Sequence, residues 1–241
     1  MANYWNNQYY SQPTVAELKQ NALKSAGKAK KKGLIYHPVI VQGRKICTSW
    51  WGVAWCENLE RYADYASRID RGKRYVRNGS VIDLQIEPGL IKAKVQGSRK
   101  APYKVEIRIS PLSEKKCQRI MNQCGKKLDS LETLLSGNFP AELKDLFFQK
   151  DGLFPNPQEI SLSCSCPDWA LMCKHVAAVL YGVGTRFDQD PLLFFTLRSI
   201  DLDRFIDVTL QDRVDTMLNN SKSRTNRMLD ADDLTKIFGK L

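Results

Sequence analysis

Three cysteines and a histidine fall within twelve residues of this 241-residue chain: Cys164-Ser165-Cys166, six residues from Pro167 to Met172, then Cys173-Lys174-His175. Thiolate and imidazole are the donors Zn²⁺ prefers, and four of them close a tetrahedron with no position left for substrate. Such donor sets also suit other soft metals. The chain holds only two histidines, so one placed two residues after a cysteine is poorly explained by chance. Three thiolates against a dication leave the site one negative charge, which Lys174, between two of the ligands, offsets. The spacing points to one structural Zn²⁺ held by Cys164, Cys166, Cys173 and His175, a staple rather than a reaction centre.

The flanking residues say how these ligands are positioned. Residues 160–166 alternate as on a strand, which turns Cys164 and Cys166 to one face. Pro167 has no N–H to donate and ends the ladder, and Asp168 and Trp169 begin a return. Residues 176–183 are apolar and helical in character. Residues two apart on a helix point to nearly opposite sides, so Cys173 belongs at or before the helix start and His175 in its first turn. The predicted unit is strand, turn, return segment and helix, a small ββα-like finger. Cys47, Cys56, Cys117 and Cys124 lack close ligand spacing. Cys117 and Cys124 fall on a helical apolar stripe with Met121 and Leu128, so core positions are expected, with a second metal site as the alternative.

Charge is unevenly spread around this motif. Net charge is +11, but residues 1–128 carry 25 Lys and Arg against 9 Asp and Glu, whereas residues 129–241 carry 12 against 17. A basic half suits phosphate polyanions, and an acidic half suits a protein or other basic surface. The candidate phosphate contacts are Arg71, Lys73, Arg74, Arg77, Lys92, Lys94, Arg99, Lys100 and Lys104, with Tyr75 and Tyr103 as candidates for stacking on bases.

Along the chain four regions are expected. Residues 1–33 read as a flexible basic arm, with a short helix over 14–26 and a lysine-rich linker between Gly27 and Gly33. Residues 34–128 read as a basic α+β region. It would hold a hairpin around Gly43, a helix over 50–67 with Trp51, Trp55 and Leu59 packed inward, and a loop over 68–77. An antiparallel meander of three strands over 81–109 would leave Lys92, Lys94, Gln96, Lys104, Glu106 and Arg108 on wet faces. A helix over 113–136 follows. Residues 129–218 read as a mostly helical region containing the finger at about 150–185, with a helix over 199–218. Residues 219–241 read as a polar linker and a short terminal helix N-capped by Asp230. The fold class expected is α+β.

The pattern Cys-x-Cys, six residues, Cys-x-His resembles the SWIM zinc finger. Trp50-Trp51-Gly52-Val53-Ala54-Trp55-Cys56, residues 71–79 and Val95-Gln96-Gly97-Ser98-Arg99 are similar to bacterial SWIM proteins found beside Snf-type DNA-translocating ATPases. The resemblance implies zinc binding and a role with DNA or protein partners in chromatin, recombination, transposition or helicase assemblies.

No Walker-type phosphate loop is present. His37 is the only other histidine, and no nucleophile motif stands beside it. No apolar run reaches the roughly 18 residues of a membrane span, and the N-terminus lacks the pattern of a signal peptide. The expectation is a cytosolic, non-enzymatic protein without a small-molecule substrate. It would bind nucleic acid, DNA ahead of RNA, through its basic half, and serve as adaptor to a translocase-type ATPase. The alternative is a pure protein-interaction subunit of a DNA-processing complex.

Overall fold

A computed structural model describes residues 14–64, 66–127, 144–148 and 152–222. Its centre is one antiparallel sheet in the order β1 (Val81–Glu87), β2 (Leu90–Val95), β3 (Tyr103–Ile109) and β4 (Ile160–Cys164). The first three strands are the expected meander. On β3, Tyr103, Val105, Ile107 and Ile109 are buried while Lys104 and Arg108 face solvent, the period-2 pattern of a half-covered sheet. β4 then adds beside β3, with Ile160 opposite Ile109 and Cys164 opposite Val105. The strand carrying the ligand motif thus completes the sheet of the basic half.

The described helices are α1 (Val15–Lys31), α2 (Trp50–Glu60), α3 (Ala66–Arg77), α4 (Glu114–Lys127), α5 (Lys144–Phe148), α6 (Lys174–Gln189), α7 (Leu193–Leu197) and α8 (Leu202–Lys222). The fold is α+β, as expected. α6 is its axle: every residue from His175 to Thr185 is buried, because the helix packs against all four strands and against α2 and α3. Trp55 of α2 is fully buried, donates its indole N–H to the Leu180 carbonyl at 3.0 Å, and meets Phe187 and Phe194 edge-on. A buried side chain of this size contributes about 1.5–3 kcal/mol through the surface it removes from water.

Several local expectations are corrected. The loop expected over 68–77 is helical. Ile69, Gly72, Tyr75 and Val76 form its buried face, and Gly72 belongs there because a Cβ would come within 2.5 Å of the Ala177 Cβ on α6. The helix expected over 50–67 stops at Glu60 and restarts at Ala66. The lysine-rich linker is the last turns of α1, where Ala29 is buried. The hairpin around Gly43 does not form. Pro38 lacks a donor, and the chain instead ties to β1 through Val39 N–H to Val81 O and Leu84 N–H to His37 O. Gln96 is buried rather than wet, because the Ser25 hydroxyl of α1 donates to its side chain at 2.6 Å. α4 is described to Lys127 and α8 runs to Lys222; residues 128–136 of the expected helix, most of the expected linker and the terminal helix lie outside the described residues.

Candidate metal centre and its cationic rim

Each ligand is set by the end of an element. Cys164 is the last residue of β4. One residue on, Ser165 still grips β3, with its N–H on Lys104 O at 3.0 Å and its Oγ accepting from Lys104 N at 2.9 Å, so Cys166 leaves the sheet from a fixed point. Cys173 is the N-cap of α6 and His175 lies in its first turn, as the helical offset requires. Residues 165–172 return without pairing as a strand, so the finger is one strand and one helix, not ββα. Pro167 removes a donor, and the N–H groups of Ala170, Leu171 and Met172 find side-chain carboxylates instead. Asp64, in the break between α2 and α3, accepts from Leu171 N at 2.9 Å and Met172 N at 3.3 Å. Asp168 pairs with Arg68 of α3 at 3.1 Å.

The four donor atoms all lie within 4.8 Å of one another. The His175 Nδ1 is 3.8 Å from Cys164 Sγ and 4.0 Å from Cys173 Sγ. A tetrahedral zinc with ordinary Zn–S and Zn–N bonds has ligand edges of about 3.5–3.8 Å, so the residues fit the ion. Crowding makes the thiols unequal. Cys173 is pulled down to about 4, first by the hydrogen bond from the Cys164 thiol, then by His175 and the Val176 N–H. Cys164 is pushed up by giving that bond and by burial, and Cys166 by burial. A thiolate at a helix N-terminus is the electrostatically favoured one of such a set. Among the described residues this is the one cluster able to hold a metal. Cys47 and Cys56 are a buried pair, 3.5 Å between sulfurs.

The far side of His175 is walled by aromatics. Tyr103 stacks on the imidazole with centroids 4.1 Å apart, and Tyr75 meets it edge-on at 5.5 Å. Both tyrosines are buried, so the stacking on bases expected of them does not hold: their rings are spent on the histidine. Above them sit cations. Lys174 Nζ lies 5.8 Å from the Tyr75 ring, and the Arg99 guanidinium 5.5 Å from that of Tyr103. Burial pushes the Tyr75 phenol up, while the charges of Arg71 and Arg74 oppose the shift.

The other expected phosphate contacts divide into two groups. Lys73 is paired with Glu60, Lys92 with Glu87, and Lys94 with Asp83, at 2.9, 2.9 and 3.0 Å. Lys94 also lies 4.1 Å from the Tyr36 ring. Arg74, Arg77, Arg99, Lys100 and Lys104 are exposed, and Arg71 is half-buried. The fold brings Arg71, Arg74 and Arg99 to the finger, whereas Lys92, Lys94 and Lys104 lie on the outer face of the sheet. Asp64, Arg68 and Asp168 escaped sequence reasoning as positioning residues, because their partners are far along the chain.

Residues 148–183 match the SWIM zinc finger family. This segment spans β4, the ligand turn and the first half of α6. An uncharacterized protein of Mycobacterium tuberculosis, Rv2102, is 37% identical over 155 residues, covering 64% of this chain and 56% of the relative. The chain therefore spans little more than half the length of that relative. No solved structure matches. No helix among the described residues is long and apolar enough to cross a membrane.

Proposed function

We propose that this is a non-enzymatic, cytoplasmic protein in which one structural Zn²⁺, held by the finger, braces a nucleic-acid-binding surface. One observation carries the reading. In sequence the finger belongs to the acidic half, but in the fold it is seated among cations of the basic half: Arg71 and Arg74 beside Tyr75, Arg99 over Tyr103, and the finger's own Lys174. Zn²⁺ bound there supplies no chemistry beyond holding Cys164, Cys166, Cys173 and His175 together. Of the cations around it, Arg74 and Arg99 are exposed, and Arg71, Arg74, Arg99 and Lys174 join no ion pair among the described residues. Phosphate contacts of this kind give affinity with little sequence choice, and each released counterion makes binding steeper in salt. DNA stands ahead of RNA on the resemblance to SWIM proteins alone, and the same resemblance supports an adaptor role toward a translocase-type ATPase. Binding measured by fluorescence anisotropy on single- and double-stranded DNA and RNA, from low to moderate salt, tests the reading. Affinity should fall steeply with salt and drop further in Arg74→Glu. A salt-independent affinity, or none at low salt, overturns it.

A second reading, a protein-interaction subunit that never touches nucleic acid, is favoured by α8. Leu210, Val214, Met217 and Leu218 are 45–68% exposed there, a row at helical spacing that suits a partner helix or groove. Wild-type protein that binds no nucleic acid but co-purifies with an ATPase only while these side chains are intact would select it.

A further inference from the structure

The loop between β2 and β3 gives one cation to each of two surfaces. Arg99 lies over Tyr103 on the finger side. Lys100 lines a groove of about 360 Å³ between the loop and the C-terminal turns of α1. Lys28, Lys31 and Lys32 come from the α1 side, over an apolar floor that includes Leu34 and Pro102. Among the described residues no carboxylate lines this groove, and none of its four lysines joins an ion pair. The cavity on the outer sheet face differs. There Lys92, Lys94 and Lys104 share about 410 Å³ with Asp83 and Glu106, so much of the charge is answered internally.

The groove is also built on a fixed base. Leu18, Ala22 and Ala29 of α1 are buried. The Ser25 hydroxyl donates to Gln96 at 2.6 Å, and the Gln96 amide donates to the Arg99 carbonyl at 2.6 Å and the Gly97 carbonyl at 3.0 Å. One buried glutamine therefore ties α1 to the loop that carries both Arg99 and Lys100. Lysines near a helix C-terminus answer its dipole, which accounts for those on α1 but not for Lys100, brought in from another element. Four like charges converging on a groove without a carboxylate match the field of a polyanion.

We infer that the groove is a second site for the phosphate backbone of nucleic acid, continuous with the finger's rim through Arg99 and Lys100. This rests on the nucleic-acid reading above and extends its footprint from the finger to α1. The test is the slope of log affinity against log salt for the full chain carrying Lys28→Ala, Lys31→Ala, Lys32→Ala and Lys100→Ala, with a single-stranded oligonucleotide and its duplex as probes. All four side chains are exposed, and circular dichroism and metal content check the fold; a Lys32→Gln, Lys100→Gln double variant stands in if the quadruple variant fails to fold. Full engagement lowers the slope by about 0.7 per lysine on the single strand and about 0.9 on the duplex, with affinity down at least about tenfold at moderate salt. A wild-type slope in these variants, with Arg74→Glu still weakening binding, overturns the groove and leaves the rim standing. Wild-type protein that binds neither probe overturns both.

Discussion

Tyr103 lies on His175 with ring centroids 4.1 Å apart and planes 25° apart. Tyr103 opens β3, and His175 opens the buried run of α6. The contact couples the one ligand that comes from inside a helix to the sheet whose last strand supplies Cys164. The same tyrosine ring also lies 5.5 Å from the Arg99 guanidinium. Metal geometry and surface charge therefore share a side chain.

Replacing Tyr103 should loosen the metal. In Tyr103→Ala the imidazole loses its stacked wall and gains rotational freedom, so affinity for Zn²⁺ should fall by about tenfold or more, the scale of outer-shell effects on metal sites. Competition against a chromophoric chelator measures it. Tyr103→Phe keeps the ring and should stay near wild type. Equal losses in both variants would mean that the hydroxyl, not the stack, matters.

Removing the metal should melt the finger and spare the sheet. Structural zinc is worth about 10–16 kcal/mol in isolated finger peptides, but here α6 is also held by α2, α3 and the first three strands. Chelation, or Cys173→Ser, should abolish amide protection around residues 164–175 while β1 to β3 remain protected. Hydrogen exchange read by mass spectrometry separates these regions. Uniform loss of protection would make the ion essential to the whole fold, and no loss would remove its structural role.

The finger was legible because its information is local: ligand spacing, Pro167 and the apolar run after Cys173 place Cys173 at the helix cap with no knowledge of the rest. α3 was missed for a physical reason. Its inner face holds Gly72, which reads as a loop residue until Ala177 is known to lie against it. The burial of Tyr103 did have a signal, since the alternation puts it on the same face as Val105 and Ile107. The seating of the finger among cations had none. It depends on β4 pairing with β3 across residues far apart in the chain, and on Asp64 and Arg68 reaching the ligand turn.

Asp64 should prove to be a stabilising residue of the finger although it lies outside the matched segment. Its carboxylate accepts from Leu171 N and Met172 N, the backbone groups that the unpaired return leaves open. In Asp64→Ala these lose their acceptor, at a cost of about 1–3 kcal/mol for a buried group and less where water can replace it. Asp64→Asn keeps an acceptor oxygen and should recover part of the loss. Thermal unfolding of the metal-loaded protein measures the difference, and identical midpoints in wild type and Asp64→Ala would exclude the role.

Gly72 sets how closely α3 approaches α6. A Cβ there would lie 2.5 Å from the Ala177 Cβ and 3.0 Å from the Ala178 nitrogen, and both neighbours belong to a helix that cannot recede because the sheet lies behind it. Gly72→Val must therefore move α3 outward. Overpacking of this kind costs about 1–3 kcal/mol, partly offset by the better helix propensity of any residue over glycine. The displacement carries Tyr75 off His175 and takes Arg71 and Arg74 with it. The expected outcome is a lower unfolding midpoint together with weaker metal binding. Circular dichroism melts and zinc competition on the same preparation check the two, and a destabilised variant with unaltered metal affinity would uncouple α3 from the finger.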